Sequence, residues 1–196
     1  HFDIPLLSNI PNLVYLAPTN REEYLAMLDW SLSYREHPVA IRVPVGVTLP
    51  ATRPVPTDYS ALNTYEVVER GKDVAILALG NFFSLGERVC RLLEAHGIRA
   101  TLINPRYISG VDCDLLDSLA TDHRLVVTLE DGALNGGFGE KIARHFGATG
   151  VKTLCYGAKK QFADRYTPKE FLAANRLVDT MIVEDIMKHS QGKLER

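Results

Sequence analysis

Cysteine is scarce in this sequence and poorly placed for structural use. Cys90, Cys113 and Cys155 are an odd number, lie far apart and form no Cys-x-x-Cys pair. That pattern argues against a disulfide framework or a cysteine metal site, and for reduced thiols in a cytoplasmic protein. Charge of a single sign is also lacking. A formal net charge of −2 gives no electrostatic footprint for nucleic acid or an anionic membrane. No apolar run approaches the ~20 residues needed to cross a bilayer. The first residues, His1-Phe-Asp-Ile-Pro5, lack the basic stretch and apolar core of a secretory signal. They also lack an initiator Met, so the natural start is expected elsewhere. His96, His123 and His145 share no ligand spacing and are expected to be solvated. What is present is ordinary globular material: 46% hydrophobic and 23% charged residues over 196 positions, enough for one domain or one domain plus a piece of another.

Two regions separate along the chain. Leu13–Ala17 is an apolar run of strand length, and Thr19-Asn-Arg-Glu22 has the spacing of a capping box. Tyr24, Leu25, Leu28 and Leu32 then recur at helical spacing, which predicts an amphipathic helix over 21–35, with Trp30 in core or interface. His37-Pro38 ends it and Val39–Val43 reads as a second strand. A single strand-helix-strand unit is too small to stand alone, so its apolar faces need neighbours. Pro44, Pro50, Pro54 and Pro56 mark an extended linker. Beyond it, strands are predicted at 65–69, 73–79, 99–103, 125–129 and 152–156. Helices are predicted from a Ser84 cap to Glu94 (ended by Gly97), at 112–120 and 138–146, and at about 167–174 and 180–189. Buried strands alternating with helices predict an α/β fold: a three-layer α/β/α domain with a mostly parallel, mixed sheet. The expected boundaries are 1–48 for a βαβ remnant, 49–64 for the linker and 65–196 for the α/β/α domain.

The stretch from Leu125 to Phe146 carries most of the information. An apolar run ends in Glu130-Asp131, and Gly132, Gly136, Gly137 and Gly139 precede an amphipathic segment. Amides at a helix start can cradle phosphate, but the Gly-x-Gly-x-x-Gly spacing is absent and two acids would repel the ligand. A structural turn is the better reading. Neighbouring residues on a strand point to opposite faces, so Glu130 and Asp131 are poorly disposed as an acid/base pair. Capping the next helix or meeting a neighbouring subunit suits them better. Asp112 and Asp114, flanking Cys113, look like a helix start and not a metal site. The Phe162–Tyr166 segment is expected to be exposed, with aromatics available to a partner subunit.

Taken in order, these motifs resemble the last part of the 1-deoxy-D-xylulose-5-phosphate synthases, in the transketolase superfamily. The similarity rests on Phe2-Asp3-Ile4, Ile10-Pro11-Asn12, Ala17-Pro18-Thr19, Glu22-Glu23, Pro38-Val-Ala-Ile-Arg42, Asn104-Pro105-Arg106-Tyr107, Asp112–Leu116 and Glu130–Gly139. It implies a parent enzyme that decarboxylates pyruvate and transfers the two-carbon unit to glyceraldehyde 3-phosphate, using thiamine diphosphate and Mg. The product of such an enzyme feeds isoprenoid, thiamine and pyridoxal synthesis. It further implies that 1–48 ends a pyrimidine-binding domain, and that 65–196 is a terminal domain supporting a homodimer. Glu130, Gly136, Gly137 and Gly139 would have dimer or structural roles.

Two positions depart from the family. Its Pro-Arg-Gly turn, whose arginine suits the acceptor phosphate, is here Pro44-Val45-Gly46; valine offers neither charge nor donor. Arg42 remains nearby, expected to pair with a carboxylate, with substrate contact as the alternative. The family's His-x-Gly-x-Phe-Asp is shortened, so that His1 directly precedes Phe2. His1 and Arg42 are therefore the substrate-adjacent candidates, and no residue qualifies as catalytic. The metal-anchoring Gly-Asp-Gly motif is absent, and the family's pyrimidine-contacting glutamate falls upstream of residue 1. The chain alone is thus expected to bind no cofactor and to turn over nothing. Part of another superfamily enzyme (a transketolase half-protein or a 2-oxoacid dehydrogenase beta subunit) and a stand-alone interaction domain are the alternatives.

Overall fold

The computed structural model describes residues 2–44, 49–162 and 166–191. His1 and the Val45-Gly46 turn lie outside these residues, as do positions 163–165. The elements run α1 (Asp3–Leu7), β1 (Val14–Leu16), α2 (Arg21–Ser33), β2 (Val39–Ile41), β3 (Glu66–Glu69) and β4 (Asp73–Ala78). They continue with α3 (Phe83–Ala95), β5 (Thr101–Asn104), α4 (Cys113–Asp122), β6 (His123–Ala133), α5 (Phe138–Phe146), β7 (Lys152–Ala158), α6 (Pro168–Ala174) and α7 (Asp179–Gln191). A 3-10 turn over Gly80–Phe82 leads into α3.

Five strands form one sheet in the order β3-β5-β4-β6-β7. β4, β5, β6 and β7 run parallel, and β3 closes one edge antiparallel to β5. The central strands are continuous apolar runs because both faces are covered. Along β4 the faces alternate. Val74, Ile76 and Ala78 join α3 and α7 through Val89, Leu93, Ile182 and Ile186. Ala75 and Leu77 join Leu116, Leu119, Phe138, Ile142 and Phe146 of α4 and α5 on the other side. This is the three-layer α/β/α arrangement that the alternation of strands and helices predicts.

β1 and β2 pair in parallel as a separate two-stranded sheet, with α2 between them in sequence. Their neighbour is the carboxyl edge of the main sheet. Leu16 bridges to Tyr107, the Ala17 amide donates to the Arg106 carbonyl at 2.7 Å, and the Ile108 amide donates to the Tyr15 carbonyl at 2.7 Å. Val14, Tyr15, Leu16, Met27 and Trp30 consequently share a core with α4 and α5. The segment between the two units is tied down as well. Tyr59 is buried, and its carbonyl accepts the Tyr107 hydroxyl at 2.7 Å. The Ala51 amide donates to Glu22 at 2.6 Å.

Several expectations are corrected. The α2 cap is Asn20, not Thr19: the Asn20 side chain accepts the Glu23 amide at 2.8 Å. Leu25, Leu28 and Leu32 face outward at 53%, 37% and 67% exposure, so the helix packs through Glu23, Met27 and Trp30 instead. Ser84 lies inside α3 and donates back to the Asn81 carbonyl at 3.3 Å. His123 is buried, not solvated: one ring nitrogen lies 2.8 Å from the Thr101 hydroxyl and the other approaches the Leu119 carbonyl at 3.2 Å. β6 runs past Leu129 to Ala133, so Glu130-Asp131-Gly132 belongs to the strand and not to a turn.

Candidate functional site at the carboxyl edge of the sheet

In open α/β sheets the strand carboxyl ends are where functional groups gather, and here they meet the N-terminal unit. β6 delivers Glu130 and Asp131 side by side, and a register shift against β7 between Leu129 and Ala133 frees this end of the strand from strict pairing. Arg42 follows β2 directly, fixed by its own amide donating to the Leu16 carbonyl at 2.8 Å. Its guanidinium donates through Nε to Asp3 at 2.5 Å and through Nη1 to Asp131. The Tyr15 hydroxyl completes the group by donating to Asp3 at 2.8 Å. Residues 39, 89 and 12 positions apart in sequence are thereby joined through one arginine and one tyrosine. Burial works to raise the Asp3 carboxyl, but hydrogen bonds from Arg42 and Tyr15 outweigh it and hold it at about 2. Burial and the Asp3 charge together push the Tyr15 hydroxyl well above its ordinary value.

Glu130 points the other way, into the protein. It has no exposed surface, and its two oxygens accept the Phe138 amide at 2.9 Å and the Gly139 amide at 2.8 Å. These are orphan donors of the first turn of α5, so a strand carboxylate caps a helix eight residues further on. Burial pushes this carboxyl up to about 7, although the two amides pull it back. The glycines follow from this packing. A Cβ on Gly137 would lie 2.4 Å from the Ala133 carbonyl oxygen and 2.7 Å from the Glu130 carboxylate. One on Gly139 would lie 2.6 Å from the Thr128 hydroxyl, and Gly136 has φ +72°. The Gly136 amide is taken by Glu140 at 2.7 Å. The amides that could have cradled a phosphate are therefore occupied by carboxylates.

A second ionic group lies at the same edge. Glu23 is buried and accepts from the Thr19 amide and hydroxyl at 2.7 Å, from Asn104 at 3.1 Å and from Arg106 Nε at 3.1 Å. Arg106 also pairs with Glu66 at 2.8 Å, and Arg53 reaches the same carboxylate at 3.0 Å. Arg106 adopts φ +61°, so the Asn104–Tyr107 segment turns sharply back onto β1. The sequence places Glu23 only in the family's Glu22-Glu23 pair and assigns it no site role. The signal was available in Asn20-x-x-Glu23, a capping-box spacing one residue beyond the Thr19 frame.

The candidate residues are therefore distributed as follows. Arg42 and Asp131 meet directly. Glu130, Gly136, Gly137 and Gly139 gather at the α5 start immediately beyond them. His1 lies outside the described residues. At Arg42 the fork that could hold a substrate anion is engaged by Asp3 and Asp131. The arrangement as a whole is a clamp: two charged networks fasten the N-terminal unit to the strand ends, and one buried cap joins β6 to the start of α5.

Known proteins resemble this chain in sequence and fold. The family profile described as "Transketolase, C-terminal domain" matches residues 63–177. The 1-deoxy-D-xylulose-5-phosphate synthase of Gloeothece citriformis is 33% identical over 95% of this chain, which spans 30% of that protein. The synthase of Heliobacterium modesticaldum is 36% identical over 76% of this chain and 23% of its own length. The chain thus spans about a third or less of the curated relatives it matches. Among solved structures, one described as "Split gene transketolase, inactive beta4 tetramer" superposes with TM-score 0.78 at 27% identity, covering 95% of this chain and 61% of that one. A transketolase from Campylobacter jejuni shares the fold with TM-score 0.73 at 14% identity, covering 95% of this chain and 28% of that one. With the matched residues taking in most of the main sheet and its covering helices, the chain belongs to the transketolase C-terminal domain family.

Proposed function

We propose that this chain is the carboxyl-terminal portion of a thiamine-diphosphate-dependent transferase of the 1-deoxy-D-xylulose-5-phosphate synthase type. Residues 1–48 would end its pyrimidine-binding domain, 49–64 link, and 65–196 form the terminal domain of a cytoplasmic homodimer. The observation that carries this reading is collinear similarity to the synthases over 95% of the chain, across both the βαβ unit and the main sheet. The portion itself serves as a support. Its acidic groups at the strand ends are engaged within the protein: Asp3 and Asp131 with Arg42, Glu23 with Arg106, and Glu130 with two amides. Among the described residues no group of three or more His, Cys, Asp or Glu is placed to hold a metal ion. The part of these residues is to position and fasten. When bound in the parent, thiamine diphosphate would supply the carbanion chemistry.

The test is product analysis on the protein translated from the uninterrupted reading frame, given pyruvate, glyceraldehyde 3-phosphate, thiamine diphosphate and Mg. Release of carbon dioxide with formation of deoxyxylulose phosphate is expected. Failure with that pair, alongside two-carbon transfer between sugar phosphates, would overturn the synthase assignment. It would favour a second reading that the split-gene neighbour motivates: one half of a two-chain transketolase. That reading requires a separate partner chain for activity.

A further inference from the structure

The opposite edge of the sheet carries a different kind of surface. β4, β5, β6 and β7 all begin there and β3 ends there, so one residue near each strand end is brought to a single cleft of about 1110 Å³. Six cations line it: Arg70 after β3, Lys72 before β4, Arg99 before β5, Arg124 on β6, Lys152 on β7 and Lys188 on α7. Asp73 is the one carboxylate among the lining residues, and Arg124 lies 3.3 Å from it. Lys188 pairs with Glu184 at 2.8 Å on its own helix. The side chains of Arg70, Lys72, Arg99 and Lys152 have no ion-pair partner among the described residues.

This concentration stands against a chain whose net charge is −2. Helix dipoles explain only part of it. α7 ends here with Lys188 and His189 in its last turn, where cations are favoured. Arg124 follows the end of α4 by two residues and shares that effect, whereas no helix ends within five residues of Arg70, Lys72 or Lys152 in sequence. Like charges brought together without partners repel one another, and a concave surface of one sign focuses its field on counter-ions. The cleft is of the size that holds small molecules. Arginine forks and lysine ammonium groups together suit phosphate oxygens.

We infer that this cleft binds a small molecule carrying two or more linked phosphates, at a site remote from the strand ends where the chemistry of the parent enzyme is proposed to be supported. The two edges lie at opposite ends of the same strands, so such a ligand would act as an effector and not as a substrate. The inference is independent of which acceptor the parent uses.

Calorimetric titration of the 196-residue chain at low salt tests it, with inorganic tripolyphosphate and ATP as probes. One-to-one binding is expected, weakening as salt is added. The double variant Lys72→Gln/Lys152→Gln changes two exposed side chains and is expected to keep its thermal midpoint while losing about tenfold in affinity. Equal binding of both probes would mean that the cleft reads the phosphate chain alone, and tighter binding of ATP that the nucleoside is seated as well. Absence of binding by either probe would overturn the inference. So would binding that the folded double variant leaves unchanged.

Discussion

Glu130 holds its carboxylate between two backbone amides with no surface exposed to water, and burial brings its acidity to about 7. That group binds its proton more tightly folded than unfolded, where the ordinary value is 4.5. Its effect on stability is therefore fully present below about 4.5 and is lost as pH rises through about 7. The expected size is of order 3 kcal/mol across that interval. Urea unfolding of the wild type and of Glu130→Gln at several pH values between 4.5 and 7.5 checks this. The wild type should lose stability relative to the variant as pH rises, and parallel profiles would place the acidity elsewhere. The glycines beside Glu130 give a second residue-scale expectation. Gly137→Ala sets a methyl group 2.4 Å from a backbone oxygen and should cost about 2 kcal/mol or more. Gly150→Ala, whose Cβ would meet nothing within 4 Å, should stay within about 0.5 kcal/mol. Equal effects in a urea titration would mean that close packing is not what selects Gly137.

At the scale of elements, α2 shows why part of the structure could be read in advance and part could not. Its existence and length follow from apolar spacing and a polar cap, but its buried face does not. Leu25, Leu28 and Leu32 carry the stronger apolar pattern and still face out. Glu23, Met27 and Trp30 turn inward, because Arg106, Asn104 and Tyr59 from elsewhere in the chain receive them. Tertiary partners far apart in sequence decided the face, and no local signal reports them. Met27→Ala should accordingly cost about 2–5 kcal/mol, while Leu25→Gln should change stability by less than about 0.5 kcal/mol. The reverse order in chemical denaturation would mean that the sequence pattern had the right face after all. α5 is the contrary case. Phe138 to Phe146 was legible to the residue, since its cap, its glycines and its apolar face are all local. The length of β6 was not legible: Glu130-Asp131-Gly132 reads as a turn by composition. It is strand because helix amides and Arg42 absorb its charges. His123 was misread for the same reason, its buried partner Thr101 lying 22 residues away.

For the whole molecule, the two edges of one sheet divide the work. The carboxyl edge fastens the N-terminal unit through Arg42 and Arg106 and carries the proposed supporting role. The amino edge gathers six cations around a cleft, four of them without an ion-pair partner among the described residues. The family was legible from ordered motifs because those motifs mark strand ends and helix starts, where packing leaves few alternatives. The chain covers 30% of the Gloeothece synthase, and its own acids are engaged in clamping, so its central expected property is structural support without cofactor capture. Calorimetric titration of thiamine diphosphate with Mg into the 196-residue chain tests this most directly, with the protein from the uninterrupted reading frame titrated alongside. Mg-dependent saturable binding that the Lys72→Gln/Lys152→Gln substitutions leave intact is predicted for the longer protein and not for the 196 residues. Such Mg-dependent binding by the 196-residue chain itself would contradict the account.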